Sequence, residues 1–591
     1  MKKKSNAVPV HYLVQLQNPK AHIYQITLTI SQPLDQQTLE MPVWIAGSYM
    51  VREFSKQIIA ISASQGKQQC AITQTNKSTW VVDCSNQQTL QVIYQVYARD
   101  NSVRTAWLDM QRGFLNGTSL LMRAPQLAHQ PHYITFESNK SLGNWKLATG
   151  LKPLKIDAKG FGQYTAQDYD EFVDCPVEMG DFWSGQFTVR GVTHRFVVAG
   201  APPTMDGERL LQDTQKICET AIRMWHKNGK PPHKNYLFML NAVSDGYGGL
   251  EHRNSTALIC KRADLPRKGA IKASDGYITL LGLISHEYFH TWNVKRLRPT
   301  EFETYDYAQE NYTRLLWFFE GFTSYYDDLI VRRANLITNA QYIQLINKTI
   351  HQVFQTPGRH IHTVAQSSFE AWTKYYRVDE NTPNMTVSYY TKGALIAMCL
   401  DLKLQVAGHN LDAVMRALWK KCSAGPMSEQ DLLDVLKTLT GHSWKRDIQS
   451  WVHSTDELPV LSLLQIHGVQ VHHEGEPLAQ QLGMRVNESN GIQIKTVLSN
   501  SPCEKAGFAP GDEWIGIEIT EKKNRVPAMW RISKLDDLLI LVGPDHQVTA
   551  LISRDQKILK LPINLQAPKT KPHIKLSIEN ISKLESWLVN T

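Results

Sequence analysis

The segment Ser285-His286-Glu287-Tyr288-Phe289-His290 decides how this chain is read. On a helix, positions i and i+4 share one face, so the imidazoles of His286 and His290 can reach a single metal ion at about 2.0–2.1 Å. Glu287 stands one position along. From there its carboxylate reaches a water on the metal rather than the metal itself, and can take that water's proton and pass it to a leaving amine. Leu280, Leu281, Leu283, Ile284, Tyr288, Phe289 and Trp292 make the helix apolar. Two histidines and a glutamate in such a helix are costly to bury unless something binds them. That weighs against the plain alternative, two surface histidines beside a solvated glutamate.

A catalytic zinc ion takes three protein ligands and keeps one position open. The run Leu315-Leu316-Trp317-Phe318-Phe319-Glu320-Gly321-Phe322-Thr323-Ser324-Tyr325-Tyr326 offers the third. Glu320 is a lone carboxylate in an apolar helix. Alone it would be read as the partner of a buried arginine; beside an incomplete metal site it is the expected third ligand. Asp327 lies two turns along the same face. It either accepts the outer N–H of a ligand histidine or faces solvent.

These residues carry a resemblance. H-E-x-x-H-x-W (His286 to Trp292) followed by W-x-x-E-G-F (Trp317 to Phe322) resembles the gluzincin peptidases of the aminopeptidase N clan, with a longer spacing between Glu287 and Glu320 than in aminopeptidase N itself. Thr291-Trp292-Asn293-Val294-Lys295-Arg296-Leu297-Arg298-Pro299 is similar to the glycyl aminopeptidase family, as are Trp44-Ile45-Ala46-Gly47-Ser48-Tyr49 and Arg52-Glu53-Phe54-Ser55. The resemblance spans most of the chain. It implies one zinc ion, a thermolysin-like catalytic domain with a largely helical second half, a C-terminal PDZ domain, and a preference for small N-terminal residues such as Gly or Ala.

An aminopeptidase must hold a free α-amine, for which a buried carboxylate is the natural partner. Gly248-Gly249-Leu250-Glu251-His252 resembles the clan's G-x-M-E-N motif, with Leu250 for Met and His252 for Asn. Glu251 is retained, so the resemblance assigns it the ammonium, while Gly248 and Gly249 let the substrate backbone approach. The competing reading is a glycine-rich turn with an exposed Glu251. Tyr389-Tyr390-Thr391-Lys392-Gly393 resembles the clan's Y-x-K-G segment and assigns the oxyanion donor to Tyr390. Tyr389 is the competitor, and aromatic packing at a helix start is the plain alternative for both.

Ser499-Asn500-Ser501-Pro502-Cys503-Glu504-Lys505-Ala506-Gly507-Phe508-Ala509-Pro510-Gly511-Asp512 resembles the signature of bacterial PDZ domains. Such domains bind a peptide or chain terminus by adding it as a strand, and Leu482-Gly483-Met484 is the candidate carboxylate loop. The alternative is a structural PDZ domain that binds nothing.

With 591 residues and 67.3 kDa, the chain is too long for one core, so three or four domains are expected. Its 42% hydrophobic and 9% aromatic content excludes a disordered chain, a collagen and a small disulfide scaffold. No apolar run approaches the ~20 residues that span a bilayer, so no membrane partner is expected. The net charge of +9 is spread without a basic stripe, so no nucleic-acid partner is expected either. Eight cysteines without a C-x-x-C pair argue against a zinc ribbon or a disulfide framework, and for buried thiols in a reducing compartment. Met1-Lys2-Lys3-Lys4 is not followed by an uninterrupted apolar core, so a cytoplasmic location is expected.

The fold class expected is a multidomain α+β protein. Residues 1–185 read as an N-terminal β-sheet domain, with Ile26, Leu28 and Ile30, and again Leu90, Val92, Tyr94 and Val96, alternating at period two. Residues 186–300 read as the α/β part of the catalytic domain and 301–460 as its helical part. Residues 461–566 read as the PDZ domain, and 567–591 as a linker and a helix with Ile581, Leu584 and Leu588 on one face. Expected helices cover 211–227, 279–296, 313–334, 392–406 and 428–438, with another opening at the capping box Thr338-x-x-Gln341. The expected function is a zinc aminopeptidase acting on peptides with a free N-terminus. An endopeptidase on the same site and an inactive PDZ adaptor are the alternatives.

Overall fold

A computed structural model describes residues 9–85, 88–521, 527–543, 546–565 and 573–589. The lysine-rich start and the expected linker at 566–572 lie outside the described residues.

The N-terminal part is β-rich. Alternation in Ile23–Ile30 places Tyr24, Ile26, Leu28 and Ile30 inside, and Leu90–Tyr97, its antiparallel neighbour, buries Leu90, Val92, Tyr94 and Val96. These strands belong to an eight-stranded sheet. A four-stranded sheet has Val177–Gly180 as an inner strand, and a three-stranded sheet completes the region. Together they enclose one hydrophobic core.

A second core lies in the part expected to be catalytic. Five strands form its sheet: β1 (Trp183–Val189), β2 (Val192–Ala199), β3 (Asn235–Val243), β4 (Gly248–Glu251) and β5 (Ser255–Lys261), in the order β1-β2-β3-β5-β4. The strand carrying Glu251 is therefore an edge. The helices α1 (Gly207–His226), α2 (Asp275–Phe289), α3 (Leu316–Arg333) and α4 (Tyr389–Val406) pack beside it. Leu250 is buried with Ala257 against Ile45, Val103 and Phe114 of the N-terminal part, which pins β4 between the two.

Several expected bounds move. The division at 185/186 falls inside β1, because Trp183 to Val189 pair with β2 in the five-stranded sheet. The helix expected over 279–296 ends at Phe289. Trp292, Val294 and Leu297 are buried in turns, where the amides of Lys295 and Leu297 donate to the His290 and Trp292 carbonyls. The helix expected from 313 starts at Leu316; those expected from 211 and 392 start at Gly207 and Tyr389. The helix expected over 428–438 spans Glu429–Thr440. The capping box is present: the Gln341 amide donates to Thr338 Oγ1 at 3.2 Å, and the Thr338 amide to Gln341 Oε1 at 2.9 Å.

The small C-terminal core runs from Leu482 to Ile563. The segment from Val460 to Val469 belongs instead to the second core. Val469–Glu474 pairs with His573–Ile578, so the small domain is inserted between two partnered strands. The last helix, Ile581–Leu588, buries Leu584, Trp587 and Leu588, while Ile581 is exposed, correcting the expected face. All eight cysteines are unpaired. Among the described residues, no helix is long and apolar enough to cross a membrane.

Candidate active site

Helix α2 delivers His286 and Glu287 from its last turn. His290 is the residue just past the helix, yet its backbone stays helical (φ −59°, ψ −18°), so the i, i+4 relation survives. Ser274 caps the other end, its Oγ accepting from the Tyr277 amide at 3.1 Å. Helix α3 crosses α2 and presents Glu320. The His290 and His286 Nε2 atoms lie 3.2 and 3.6 Å from one oxygen of Glu320.

The remaining ring nitrogens are engaged. His286 Nδ1 donates to Asp327 Oδ2 at 3.0 Å, which selects the hydrogen-bonding alternative for Asp327 over the solvent-facing one. His290 Nδ1 donates to the Asn293 carbonyl at 2.7 Å. Each ring is thus fixed through its outer nitrogen and turns Nε2 toward Glu320. Burial pushes the Glu320 carboxyl up, but His290 and His286 more than reverse this and hold it down at about 2. Two imidazole nitrogens and one carboxylate, all within 4.8 Å of one another, form a donor set that fits a zinc ion.

Glu287 is buried, and its Oε2 has no hydrogen-bond partner among the described residues. Burial pushes its carboxyl up, against the pull of His286 and His290. Gly249 sits directly on it: a Cβ there would lie 2.1 Å from Glu287 Oε1. Glu251 is also buried, with an Oε1 that has no partner among the described residues, which excludes the exposed-turn reading. Glu251, Glu287 and His290 offer atoms within 4.8 Å of one another, so the candidate amine anchor and the candidate base share one space. Gly248, with φ +154°, leaves the edge of β4 open beside them.

Tyr390 stacks toward His286, with ring centroids 6.3 Å apart, and its hydroxyl lies 3.3 Å from that of Tyr376. Tyr389 is completely buried and packs on Tyr375 and Tyr390.

Three contributors escaped the sequence reading. Gly47, φ +93°, backs the amine anchor: a Cβ there would lie 2.5 Å from both Glu251 oxygens. Asn293 orients His290 through its carbonyl. Asp174 locks the end of β4, where its carboxylate accepts from His252 Nδ1 at 3.1 Å, the Arg253 amide at 2.9 Å and Lys295 Nζ at 2.8 Å. Of these, only Gly47 and Asn293 lie within motifs that carried the resemblance.

Residues 11–181 match the Peptidase M61 N-terminal domain, and residues 279–396 match the M61 glycyl aminopeptidase domain. The crystal structure of an aminopeptidase N family protein from Idiomarina loihiensis is 33% identical, with a TM-score of 0.91, covering 98% of this chain and 100% of that one. The chain belongs to the M61 glycyl aminopeptidase family. As an M61 protein it is a metallopeptidase of the aminopeptidase kind. An M1 zinc metallopeptidase from Deinococcus radiodurans is similar at 16% identity and a TM-score of 0.47, covering 76% of this chain and 94% of that one. Among curated proteins no relative matches the chain.

Proposed function

We propose that this M61 protein is a zinc aminopeptidase that removes small N-terminal residues, Gly or Ala, from peptides. One ion is held by His286, His290 and Glu320. When bound, zinc supplies a Lewis acid and brings the pKa of a water toward about 7. Glu287 takes a proton from the attacking water at its unpartnered Oε2 and delivers it to the leaving amine. The Tyr390 hydroxyl donates to the oxyanion that develops on the scissile carbonyl. Asp327 and the Asn293 carbonyl hold the two imidazoles in the tautomer that presents Nε2.

The observation that carries the aminopeptidase reading is Glu251. A buried carboxylate oxygen without a partner, at the end of an open edge strand and beside Glu287, is a site for a cation. A substrate ammonium there fixes the first peptide bond over Glu287. The preference for small residues is supported by the rings around the anchor. Tyr376 donates to the Gly47 carbonyl at 3.4 Å, and Tyr49 and Tyr390 flank Tyr376.

The small C-terminal domain we read as a PDZ domain. Its edge strand, Met484–Asn487, follows Gly483 in the left-handed conformation, and the helix Pro502–Ala506 opens at the Ser501 cap. A cytoplasmic location is supported by the eight unpaired cysteines.

The test is a survey of Gly-, Ala-, Leu- and Phe-amides and their N-acetylated forms, with and without chelator. Fast, chelator-sensitive release from Gly and Ala, and none from acetylated forms, is expected. Equal cleavage of free and acetylated peptides overturns the reading in favour of an endopeptidase.

A further inference from the structure

Arg104 stands beside the edge strand β4, and Arg52, held on Ser48, feels its charge; both keep hydrogen-bonding capacity unused among the described residues. Arg104 Nη2 donates to the Gly249 carbonyl at 3.2 Å, and its Nη1 lies 4.0 Å from where a Cβ on Gly248 would stand. Arg52 Nη2 donates to Ser48 Oγ at 2.6 Å. The Nε atoms of both are buried and have no partner among the described residues. Neither guanidinium forms an ion pair among the described residues, and Asp100, whose charge Arg52 feels, does not close on it. Burial, and then the neighbouring Arg104 cation, push the Arg52 guanidinium down to about 10. Two half-buried like charges that feel one another are costly unless an anion offsets them.

Their place follows from the strand. Glu251 closes one end of β4, and Gly249 and Gly248 precede it. A peptide whose ammonium meets Glu251 and whose backbone lies along this open edge runs back past Gly249 and Gly248. That is where Arg104 stands. Gly249 also touches Glu287, so Arg104 lies next to the bond to be cut, on the side of the leaving product. Extended peptide covers about 3.5 Å per residue, so the group that meets the guanidinium belongs to about the second to fourth residue of the substrate. Tyr376 joins this wall to the catalytic one, since it feels the Arg104 charge and its hydroxyl contacts Tyr390.

We propose that Arg104 and Arg52 form a subsite for a substrate carboxylate beyond the scissile bond, so that short peptides with a free C-terminus are the preferred substrates. A guanidinium matches a carboxylate in charge and in planar, forked geometry, and the second cation adds to the attraction. The inference rests on the aminopeptidase reading for the direction in which the substrate lies.

The test compares Gly-Gly-Gly, Gly-Gly-Gly-amide and Gly-Gly-Glu-amide, in two measurements. One is kcat/KM with the zinc-loaded wild type and its Arg104→Met and Arg52→Met variants. The other is calorimetric binding to the zinc-loaded Glu287→Gln protein, alone and with Arg104→Met added. The acid is expected to exceed the neutral amide by about tenfold to hundredfold in both, and the ratio to fall to about one in Arg104→Met. Gly-Gly-Glu-amide matching the acid assigns the subsite to a side-chain carboxylate; matching the neutral amide assigns it to the chain terminus. A ratio near one in the wild type, or an unchanged ratio in both methionine variants, overturns the proposal. Uniform loss on all three peptides marks Arg104 as a mere support for Gly249 and overturns it too. Failure of the aminopeptidase reading is seen separately, as equal cleavage of acetylated peptides whatever their C-terminus.

Discussion

Gly321 and Gly393 touch backbone to backbone: a Cβ on Gly321 would lie 2.5 Å from the Gly393 Cα, and one on Gly393 would lie 2.4 Å from the Trp317 carbonyl oxygen. Each glycine neighbours a site residue, Gly321 following Glu320 and Gly393 lying three positions after Tyr390. The close approach of α3 and α4 therefore sets how near the candidate oxyanion donor stands to the candidate metal ligand. Gly393→Ala is expected to push the helices apart and lower stability by about 1–3 kcal/mol, the usual range for overpacking. Urea unfolding measures the stability, and kcat is expected to fall further than the remaining folded fraction explains. A variant as stable as the wild type removes the packing argument.

Glu287→Gln keeps the shape of the side chain and removes the base. It is expected to lower kcat by about 10²–10⁴ while leaving the zinc content unchanged. Steady-state kinetics with elemental analysis of the same sample checks both halves. Near-normal kcat means that a different group takes the proton.

Asp327 acts through His286. Asp327→Asn retains the side chain's size but weakens the hold on the imidazole N–H, and is expected to reduce zinc affinity by about 10–100-fold. Glu320→Ala, which removes a ligand outright, is expected to lose more. Competition with a chromogenic chelator ranks the two against the wild type. Equal affinity for all three excludes Glu320 as a ligand.

The buried network below Glu251 gives a stability prediction with a sign in pH. Burial alone would raise the Asp174 carboxyl, but Lys295 and His252 more than reverse this and hold it well below the usual carboxylate range. A carboxyl lowered on folding stabilises above its unfolded pKa, about 3.9, and that contribution fades as pH falls toward the folded value. Asp174→Asn leaves Lys295 buried without its partner and is expected to cost about 3–5 kcal/mol at neutral pH. The gap to the wild type narrows only below about pH 3.9. Urea unfolding from pH 3 to 7 checks it, and a gap that is constant with pH assigns the loss to packing.

Much of this site was legible because its elements are local. His286, Glu287 and His290 lie within one helical turn, and Glu320 is the lone carboxylate of an apolar run. The end of α2 was not legible, since Trp292, Val294 and Leu297 continue the apolar pattern although they are buried in turns. The chain reverses at Val294 with φ +123°, a conformation that a β-branched residue rarely adopts and that no spacing announces. Gly47 and Arg104 lie far along the chain from β4, and only tertiary packing brings them to Glu251 and Gly249. The small domain's limits are hidden from the sequence for a related reason: Val469–Glu474 reads as one more short strand, yet its partner is His573–Ile578 beyond the domain.

Glu251 separates an aminopeptidase from an endopeptidase on the same metal site. Glu251→Gln keeps a hydrogen-bond acceptor at the end of β4 and removes the charge that meets the ammonium. Hydrogen bonds to charged groups contribute about 1.5–3 kcal/mol, so kcat/KM for Gly-amide is expected to fall by about tenfold to hundredfold. N-acetylglycyl-amide offers no ammonium, and its already low rate is expected to move by less than about threefold, since no charge-assisted bond is lost there. Gly47→Ala provides the steric counterpart. Its Cβ would displace the Glu251 carboxylate, being 2.5 Å from both oxygens, at a backbone position (φ +93°) that suits glycine. Both variants should therefore lose the discrimination between free and acetylated peptides while keeping their zinc. If they retain it, the ammonium is held elsewhere, and the unpartnered oxygen of Glu251 needs a different occupant.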